Sequence, residues 1–529
     1  MKSKIFWAVL VLAFTLRFYK LGEVPLSLDW DENSNAYNAY SILKTGRDQY
    51  GDFLPITNRS FDDYKPPAYM YLNVPTVAIF GLTPFAARLP SAIFGFLTVP
   101  LIYFLTQKVL EYWPKFSEKR ETISLVAMLL LAISPWHLQF SRVGFEATVG
   151  LFTAVAAAAA FLYGIKDHKW LIVAAIATGL SSYTYHTQRI FVPLLAIVTF
   201  IIWKKDIFKI SKKFLATFII VTILISLPLA ILIPPKVILQ RFEVTTGRPK
   251  LEDIEKSIKF ILQDQAANIP FANITHNRRF VIGQTYFANY LSHFSPNFLF
   301  TKGDDNFRHH IQDMGMLYLF ELPLFLYGIY LAIRFKSKAS AFLLCWLLFA
   351  PIAATPATPN PHGNRSLPLL IAVEIISAVA LVSLFSINFR FKNILRFIYL
   401  FWITTAVLVY LHNYWQHYPV EKASFWQYGY REAVLESEKV KDRYEKILVD
   451  KTIEQAYIFW LFNLKYDPRE YLESGSLEHF DKYYFRALPP QMSNELYISD
   501  AGHFPGNFEI IKTIYYPDGS EIVRIGHPR

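Results

Sequence analysis

Cysteine is almost absent from this chain of 529 residues, because Cys345 is the only one. A single cysteine excludes an intrachain disulfide bond and a cysteine-based metal site. Charge is also scarce, since Asp, Glu, Lys and Arg make up 18% of the chain against about 25% in average soluble proteins. The charged residues lie in clusters between long apolar runs. This pattern is typical of a membrane protein rather than a soluble one.

Basic residues are in excess, and the formal net charge is +11. Such a charge could indicate a nucleic-acid partner, but Lys and Arg lie in short loops beside apolar segments. Membrane orientation therefore explains them better, and no nucleic-acid partner is expected. Lys2 and Lys4 place the N-terminus in the cytoplasm. No small-x-small cleavage site follows, so residues 5–21 are expected to form an uncleaved helix that leads outward.

The sequence predicts a polytopic α-helical membrane protein of about eleven transmembrane helices, formed by residues 1–411 and located in the plasma membrane. Its first external loop is expected over 22–84 and a long external loop over 234–312. Residues 66–82 are predicted to lie along the outer interface, because a span there would move every later basic loop outside. Residues 412–529 are too polar for a membrane and predict a small extracytoplasmic α/β domain.

Polar residues concentrate in the loops predicted to be external. The segment PWHLQFSR is expected to connect two helices there, over 122–137 and 144–164. Short basic loops fall on the cytoplasmic side. The active site is therefore expected on the extracytoplasmic face of the membrane.

The first external loop begins with three acids in four residues: Asp29, Asp31 and Glu32. A carboxylate at this level could act as a general base toward a hydroxyl group. Alternatively, Asp31 or Asn33 could cap the helix that follows. Three acids exceed what one cap requires, which favours the functional interpretation.

Arg142 and Glu146 lie four residues apart and are predicted to share one helix face at the outer mouth of a membrane helix. An interfacial salt bridge would explain them equally well. An acid this close to a bilayer is costly, however, and is a functional candidate for that reason.

Two further polar clusters lie in external connections. Either could bind a ligand or anchor the protein at the interface. An outward arginine that opens a helix suits a phosphate, through its forked donors and the free backbone N–H groups. The clusters are Tyr183, Tyr185, His186, Gln188 and Arg189, and then His362, Asn364 and Arg365.

The remaining candidates are weaker. Lys65 and Arg88 could each belong to a turn or an interface anchor. In the long external loop, two histidines lie near three aspartates, but their spacing fits no metal-ligand pattern, so a solvated loop that contacts substrate is predicted. These residues are His309, His310, Asp304, Asp305 and Asp313.

Four elements carry a resemblance to a known group of proteins: Asp31-Glu32 after the first helix, KPPAYMYL at 65–72, GLTPFAARLPSAIFGFLTVPLIYFL at 81–105 and SRVGFEATV at 141–149. Together they resemble the integral membrane glycosyltransferases of the GT-C superfamily, which use polyprenyl-phosphate sugars. The nearest groups are glycosyltransferase family 39, the protein O-mannosyltransferase-like enzymes and the lipid A aminoarabinose transferases.

The resemblance implies an inverting transfer of a monosaccharide from a polyprenyl phosphate to an extracytoplasmic acceptor: a protein hydroxyl, a glycan or a lipid. It makes Asp31 the base, with Glu32 and Glu146 nearby, although the family usually has Asp where this chain has Glu146. The departing phosphate needs preorganised donors, for which the candidates are Arg189, Arg365, Arg88 and His362. The expected substrate contacts are Asp29, Lys65, Arg142, Tyr185 and His186.

These acids and arginines are expected to meet in one cavity at the outer membrane boundary. No cofactor is expected to be required and no metal site is assigned. If a divalent cation does bind, Asp29, Asp31 and Glu146 are the expected ligands. A lipid-linked glycan flippase and a glycan polymerase or ligase are the alternative functions. A transporter should carry ionisable residues near the midplane and repeated halves, whereas the ionisable residues here are predicted at outer helix ends.

Overall fold

A computed structural model describes residues 2–61, 63–233, 251–489 and 495–529. The first part of the predicted external loop, residues 234–250, lies outside the described residues. Apart from short single turns, the helices α1 to α21 are, in order, Lys2–Phe18, Trp30–Thr45, Ala68–Phe80, Pro84–Glu111, Arg120–Ile133, Pro135–Arg142, Glu146–Gly164, Trp170–Ser181, Gln188–Ile207, Lys212–Leu232, Leu251–Ala266, Ala272–Thr275, Arg278–Ser292, Glu321–Arg334, Lys338–Phe349, Leu369–Ser386, Lys392–His412, Tyr418–Glu421, Tyr430–Val440, Ala456–Asn463 and Pro468–Ser474.

The strands β1 to β8 are Asn58–Ser60, Asp63–Lys65, Ile447–Val449, His479–Phe480, Tyr483–Phe485, Leu496–Asp500, Phe508–Tyr515 and Glu521–Pro528. The chain divides into two compact units, each assembled from separate stretches of sequence. We refer to Met1–Ala13, Leu97–Leu138 and Gly150–Ala406 as the helical unit. We refer to Phe14–Phe96, Gln139–Val149 and Val407–Arg529 as the mixed unit.

Membrane-spanning character is clear in several helices. Within the described residues, five helices are long and apolar enough to cross a bilayer: Pro84–Glu111, Glu146–Gly164, Lys212–Leu232, Leu369–Ser386 and Lys392–Glu421. A sixth is added if the bent pair Ser117–Ile133 and Pro135–Arg142 counts as one span. A span needs about 20 residues, and α3, α8 and α15 are shorter than that. The predicted number of about eleven is therefore not confirmed.

The segment PWHLQFSR was predicted as a connecting loop, and that prediction is wrong. It forms helix α6, which is bent by 55° from the preceding helix. Pro135 suits the first position of a helix because its missing N–H would have no partner there. The polar side chains that suggested a loop, including His137 and Gln139, are fully buried. Their environment is set by distant parts of the chain, which local sequence patterns do not reveal.

Helix α2 follows the acidic cluster directly, and Asp29 is its N-cap. The Asp29 carboxylate accepts a hydrogen bond from the backbone N–H of Glu32 at 2.8 Å, while the Glu32 carboxylate accepts one from that of Asp29 at 3.1 Å. This reciprocal capping box stabilises a helix start by about 1 kcal/mol. The alternative that Asp31 or Asn33 caps the helix is therefore wrong. Gly46, with φ +71°, ends the helix in the left-handed conformation that glycine adopts without strain.

The C-terminal part of the mixed unit contains a six-stranded sheet in the order β4-β5-β3-β6-β8-β7. Strand β3 is parallel to both neighbours, and β8 pairs antiparallel with β6 and β7. In the sequence, the segments EKILVDKT, NELYISD, EIIKTIYYP and EIVRIG, with a Pro-Asp-Gly turn, predict β3 and the last three strands. The short strands β4 and β5 are not predicted.

Helix α2 packs against α20 and α21, which connect β3 to the next strands. Tyr37 of α2 is fully buried in the same core as Trp460, and its hydroxyl donates to the carbonyl of Tyr466 at 3.1 Å. Each such buried aromatic side chain contributes about 2 kcal/mol. The helix that carries Asp31 is thereby held on the C-terminal α/β layer.

Candidate active site

Asp31 lies in the first turn of α2, and its side chain is 30% exposed. It forms an ion pair with the ammonium group of Lys65, the last residue of β2. The position of Lys65 follows from the β1–β2 hairpin, in which Lys65 pairs with Asn58. The hairpin thus brings the lysine to the start of the helix.

Two asparagines extend this cluster to a second acid. Asn58 donates to the side-chain oxygen of Asn35 at 2.6 Å, and Asn35 donates to Oε1 of Glu146 at 3.3 Å. Burial disfavours the charge on Lys65, but the carboxylates of Asp31 and Glu146 outweigh it, so the pKa of Lys65 is raised. The lysine therefore stays positive between two acids. We refer to Asp31, Asn35, Lys65 and Glu146 as the carboxylate cluster.

Asn35 and Asn58 were not among the residues singled out from the sequence. A signal was present, because α2 contains Asn33, Asn35 and Asn38, and asparagine favours neither a helix interior nor a buried position. All three are buried here. Several asparagines in one helix were a sign of a buried polar network.

Glu32 is next to Asp31 in sequence but lies in a closed environment. Its carboxylate accepts from Nε of Arg88 at 2.9 Å and from the backbone N–H of Gly144 at 2.7 Å. Both side chains of this pair are fully buried. Arg88 also donates to backbone carbonyls, including that of Pro25 at 2.8 Å.

The roles predicted for these two residues stay predictions, but the geometry shows that both side chains are already engaged. Glu32, predicted to be catalytic, and Arg88, predicted to bind the donor phosphate, are each satisfied by the other and by the backbone. Gly144 permits the arrangement, because a Cβ there would lie 3.0 Å from the side chain of Glu32. The pair joins α2, α4 and the turn before α7 inside the mixed unit.

Arg142 and Glu146 do not share a helix face, contrary to the prediction. Arg142 is the last residue of α6 and Glu146 is the first of α7. Arg142 is fully buried and donates to the carbonyl of Leu16 at 2.9 Å and to the hydroxyl of Tyr414 at 3.1 Å. It binds free carbonyl groups at the end of α1. Its predicted contact with substrate stays a prediction, and in this structure the side chain binds the end of α1.

The candidates in the helical unit have different environments. Nε of Arg189 donates to the carbonyl of Ser182 at 2.9 Å, and its Nη1 lies 3.5 Å from Nδ1 of His186. Tyr185 is buried. Nη1 of Arg365 is buried and has no hydrogen-bond partner within the described residues. Helix α16 begins only at Leu369, so Arg365 precedes it rather than opening it.

Asp304, His309 and His362 come together in the helical unit, with one ligand atom of each within 4.8 Å of the others. The Asp304 carboxylate accepts from the backbone N–H of Gly363 at 2.7 Å and bonds Nδ1 of His309. His362 donates its backbone N–H to Nε2 of His293 at 3.2 Å. The prediction of a solvated loop is wrong, because Asp304 and His309 are 6% and 4% exposed.

This trio combines the imidazole and carboxylate ligands that suit zinc and similar divalent cations. The sequence had assigned any such ion to Asp29, Asp31 and Glu146 instead. Asp29 is 1% exposed and already caps α2, which makes it a poor ligand. Asp304, His309 and His362 are thus a group in the described part of the chain that could hold a divalent cation.

The fold has counterparts among solved structures. It is similar to ArnT from Cupriavidus metallidurans bound to undecaprenyl phosphate, with a TM-score of 0.57, 12% identity and coverage of 98% of this chain and 97% of that one. It is also similar to the Archaeoglobus fulgidus oligosaccharyltransferase in complex with Zn and sulfate, with a TM-score of 0.52, 15% identity and coverage of 97% and 72%. At such low identity these matches define only a class of fold that this chain shares with the two proteins.

The sequence comparisons agree with that class. Residues 64–231 match the family described as dolichyl-phosphate-mannose-protein mannosyltransferase. A stretch of 110 residues is 37% identical to an uncharacterized protein of Aquifex aeolicus (strain VF5), and it covers 20% of this chain and 24% of that relative. The match therefore spans about a quarter of the length of that relative. Together with the fold, these matches confirm the predicted resemblance to GT-C glycosyltransferases.

Proposed function

We propose that this protein is an inverting glycosyltransferase that moves a monosaccharide from a polyprenyl-phosphate donor to an extracytoplasmic acceptor. The observation that carries the proposal is the carboxylate cluster. Asp31 is a partly exposed carboxylate, paired with a partly buried lysine and linked to a second acid, in a chain with a GT-C fold. The match of residues 64–231 to the mannosyltransferase family supports a donor in which a lipid phosphate carries the sugar.

The chemistry assigned to Asp31 is general base catalysis. Its carboxylate would accept the proton of the acceptor hydroxyl while that oxygen forms a bond to the anomeric carbon. The bond between this carbon and the phosphate oxygen breaks at the same time, and its electron pair leaves with the polyprenyl phosphate. Attack from the face opposite the phosphate inverts the anomeric configuration. Lys65 would hold Asp31 in position and balance the two acidic charges.

The leaving phosphate needs positive charge that is already in place. Among the predicted phosphate-binding residues, Arg365 has the best supporting observation, because its buried Nη1 has no partner within the described residues. A guanidinium with open donors can bind a phosphate through two parallel hydrogen bonds. Arg189 is partly engaged by the backbone, and His362 lies in the possible metal-binding trio. Both remain secondary candidates.

The proposal places the enzyme in the plasma membrane as a multi-pass protein with its site on the extracytoplasmic face. The distribution of Lys and Arg between the loops supports that orientation. The ArnT structure with undecaprenyl phosphate supports an isoprenoid phosphate as the lipid. The sugar and the isoprenoid length are left to experiment.

The test uses the purified full-length enzyme in nanodiscs. It is incubated with a panel of polyprenyl phosphates that carry different single sugars, together with hydroxyl acceptors of the protein, glycan and lipid classes, and the released polyprenyl phosphate is quantified by mass spectrometry. We expect one donor class to be consumed, with a new glycosidic bond of inverted configuration detected by NMR. A folded enzyme that consumes no donor, yet moves a lipid-linked glycan across vesicles, would contradict the proposal in favour of a flippase.

A further inference from the structure

The sheet of the mixed unit has a crevice at one edge. Strand β3 lies between β5 and β6 and is parallel to both. After β3 the chain passes through α20 and α21 to the β5 side, and it then returns to β6 on the opposite side. Open α/β sheets bind ligands at the carboxyl ends of their parallel strands.

A groove of about 660 Å³ lies at the carboxyl ends of β3 and β5. Its floor includes Val449 and Phe485, the last residues of β3 and β5, which are paired in the sheet register. Its walls come from the loop that leads into α20 and from the first external segment, which contributes Trp30 and Phe61. We refer to this feature as the carboxyl-edge groove. Trp30 immediately precedes Asp31, so the groove extends to the residue next to the proposed base.

The lining combines aromatic rings with hydrogen-bonding side chains. Trp30, Phe61 and Tyr457 present ring faces or edges, which suit the apolar C–H face of a sugar ring. Carboxylates accept hydrogen bonds from hydroxyl groups. The ionisable residues that line the groove are Asp450, Glu454, Glu478 and Lys451.

These charges also restrict the ligand. Three carboxylates against one lysine make the groove acidic, so a phosphorylated headgroup or another polyanion would be repelled. An uncharged oligosaccharide offers hydroxyl donors to the carboxylates without that repulsion. The aromatic side chains and the excess of carboxylates in the lining therefore favour a neutral saccharide as the ligand.

Backbone conformation supplies an independent sign. Phe61 and Gln455 both line the groove, and both have left-handed φ angles, of +60° and +54°. For residues other than glycine this conformation costs about 1–3 kcal/mol and concentrates at functional sites. The two residues come from opposite walls of the groove. Each of the two segments that form the groove therefore holds one residue in a strained backbone conformation.

We propose that the carboxyl-edge groove binds the saccharide portion of the acceptor, an uncharged oligosaccharide, and delivers its terminal hydroxyl toward Asp31. This inference rests on the proposed glycosyltransferase function and specifies its acceptor class as a glycan. The groove holds the sugar units beyond the reacting one. Its residues would determine acceptor specificity without contacting the donor.

Binding is tested first, without any chemistry. Saturation-transfer NMR on the full-length enzyme in detergent is measured with mannotriose, N,N′,N″-triacetylchitotriose and a phosphorylated mannose oligomer. We expect at least one neutral trimer to bind, and the phosphorylated oligomer to bind at least tenfold more weakly. The double variant Glu454→Gln/Glu478→Gln should weaken neutral-trimer binding about threefold to tenfold, whereas Glu473→Gln, an exposed α21 residue outside the groove, should not change it. Preferred binding of the phosphorylated oligomer, or no neutral binding, overturns the proposal.

Catalysis is tested next, with the acceptor titrated at saturating donor. The Glu454→Gln/Glu478→Gln enzyme should show a raised KM for the glycan acceptor, with an unchanged rate of donor hydrolysis in its absence. Trp30→Ala should raise that KM further, by tenfold or more, and Trp30→Phe should restore most of it. An unchanged acceptor KM in an enzyme that consumes the donor would overturn the groove assignment alone. A wild-type enzyme that uses no donor would instead overturn the proposed function.

Discussion

Asp31 and Glu32 are neighbours in one helix turn, yet their environments are opposite. Asp31 is 30% exposed and pairs with Lys65, whereas Glu32 is fully buried and pairs with Arg88 and the backbone of Gly144. A general base must reach its substrate and exchange a proton. A buried ion pair with every hydrogen bond satisfied can do neither without breaking. Two acids of the same helix turn are therefore suited to different tasks, one chemical and one structural.

A third carboxylate of the mixed unit, that of Asp48, can be compared with these two. Asp48 is 1% exposed and accepts backbone hydrogen bonds from Tyr50 and Asp52, at 2.9 and 3.0 Å. No ion pair to a cation is formed by its carboxylate within the described residues, and burial raises the pKa of Asp48 to about 6. The three acids thus differ in exposure and partner rather than in chemistry. Partner and exposure decide what each one does.

Replacement of the proposed base should give the largest effect on activity. Asp31→Asn keeps the shape of the side chain but removes its ability to accept a proton. We expect sugar transfer to fall by about 10²–10⁴-fold, with the melting temperature little changed because Asp31 is partly exposed. Asp52→Asn, at an exposed position that follows α2, serves as the matched control. Retained turnover in folded Asp31→Asn would remove Asp31 from the catalytic role.

Removal of one partner from the buried pair should mainly reduce stability. Arg88→Ala leaves Glu32 buried without its cation, which costs about 3–5 kcal/mol. Thermal melting in detergent should reveal the loss. The double variant Glu32→Gln/Arg88→Met should melt higher than Arg88→Ala, since no charge is left unpaired. A normal melting temperature with lost donor affinity would return Arg88 to phosphate binding.

Asp48 should make stability depend on pH. Its pKa is about 6 in the folded protein against 3.8 in the unfolded chain, so the folded state binds its proton more tightly. Stability therefore falls as pH rises from about 4 to about 6, by up to about 3 kcal/mol. Asp48→Asn should raise the melting temperature at pH 8 and have little effect at pH 4. An equal shift at both pH values would contradict a titration origin.

The helix cap should give the smallest effect. Asp29→Ala removes the capping box of α2, which costs about 0.5–2 kcal/mol. Activity per folded enzyme should change only a few-fold, because Asp29 is buried and engaged by the backbone of Glu32. Melting and turnover are measured on the same preparation. A loss of turnover as large as that of Asp31→Asn would assign Asp29 a direct role with substrate.

Periodic and compositional signals predicted most of the helices and the later strands. Helix α2 and strands β6, β7 and β8 were visible because apolar spacing and a Pro-Asp-Gly turn are local properties. Helix α6 was missed because its polar residues resemble a loop until distant segments bury them. The short strands β4 and β5 also escaped prediction, since two or three residues carry too little pattern.

The site predictions divide in the same way, between what local sequence indicates and what distant contacts decide. The sequence indicated Asp31, Lys65 and Glu146 as candidates, and the structure brings them into one cluster. It also indicated Glu32, Arg88 and Arg142, which the structure places in buried bonds to each other or to the backbone. The sequence shows that a charged side chain is present. It does not show whether ion pairs and hydrogen bonds within the protein already engage that side chain. The meeting of the acids with Arg189 and Arg365 in one cavity stays a prediction.

By itself, the amino-acid sequence determined the membrane character of the chain, its polar C-terminal part and the resemblance to GT-C glycosyltransferases. These follow from composition, spacing and short motifs, which are fixed by residues close together in the chain. Tertiary structure alone decided which acid is accessible, which arginines are structural, and where a groove opens beside Trp30. Those properties depend on contacts between segments tens to hundreds of residues apart, and burial in such contacts sets the free energy of each charge.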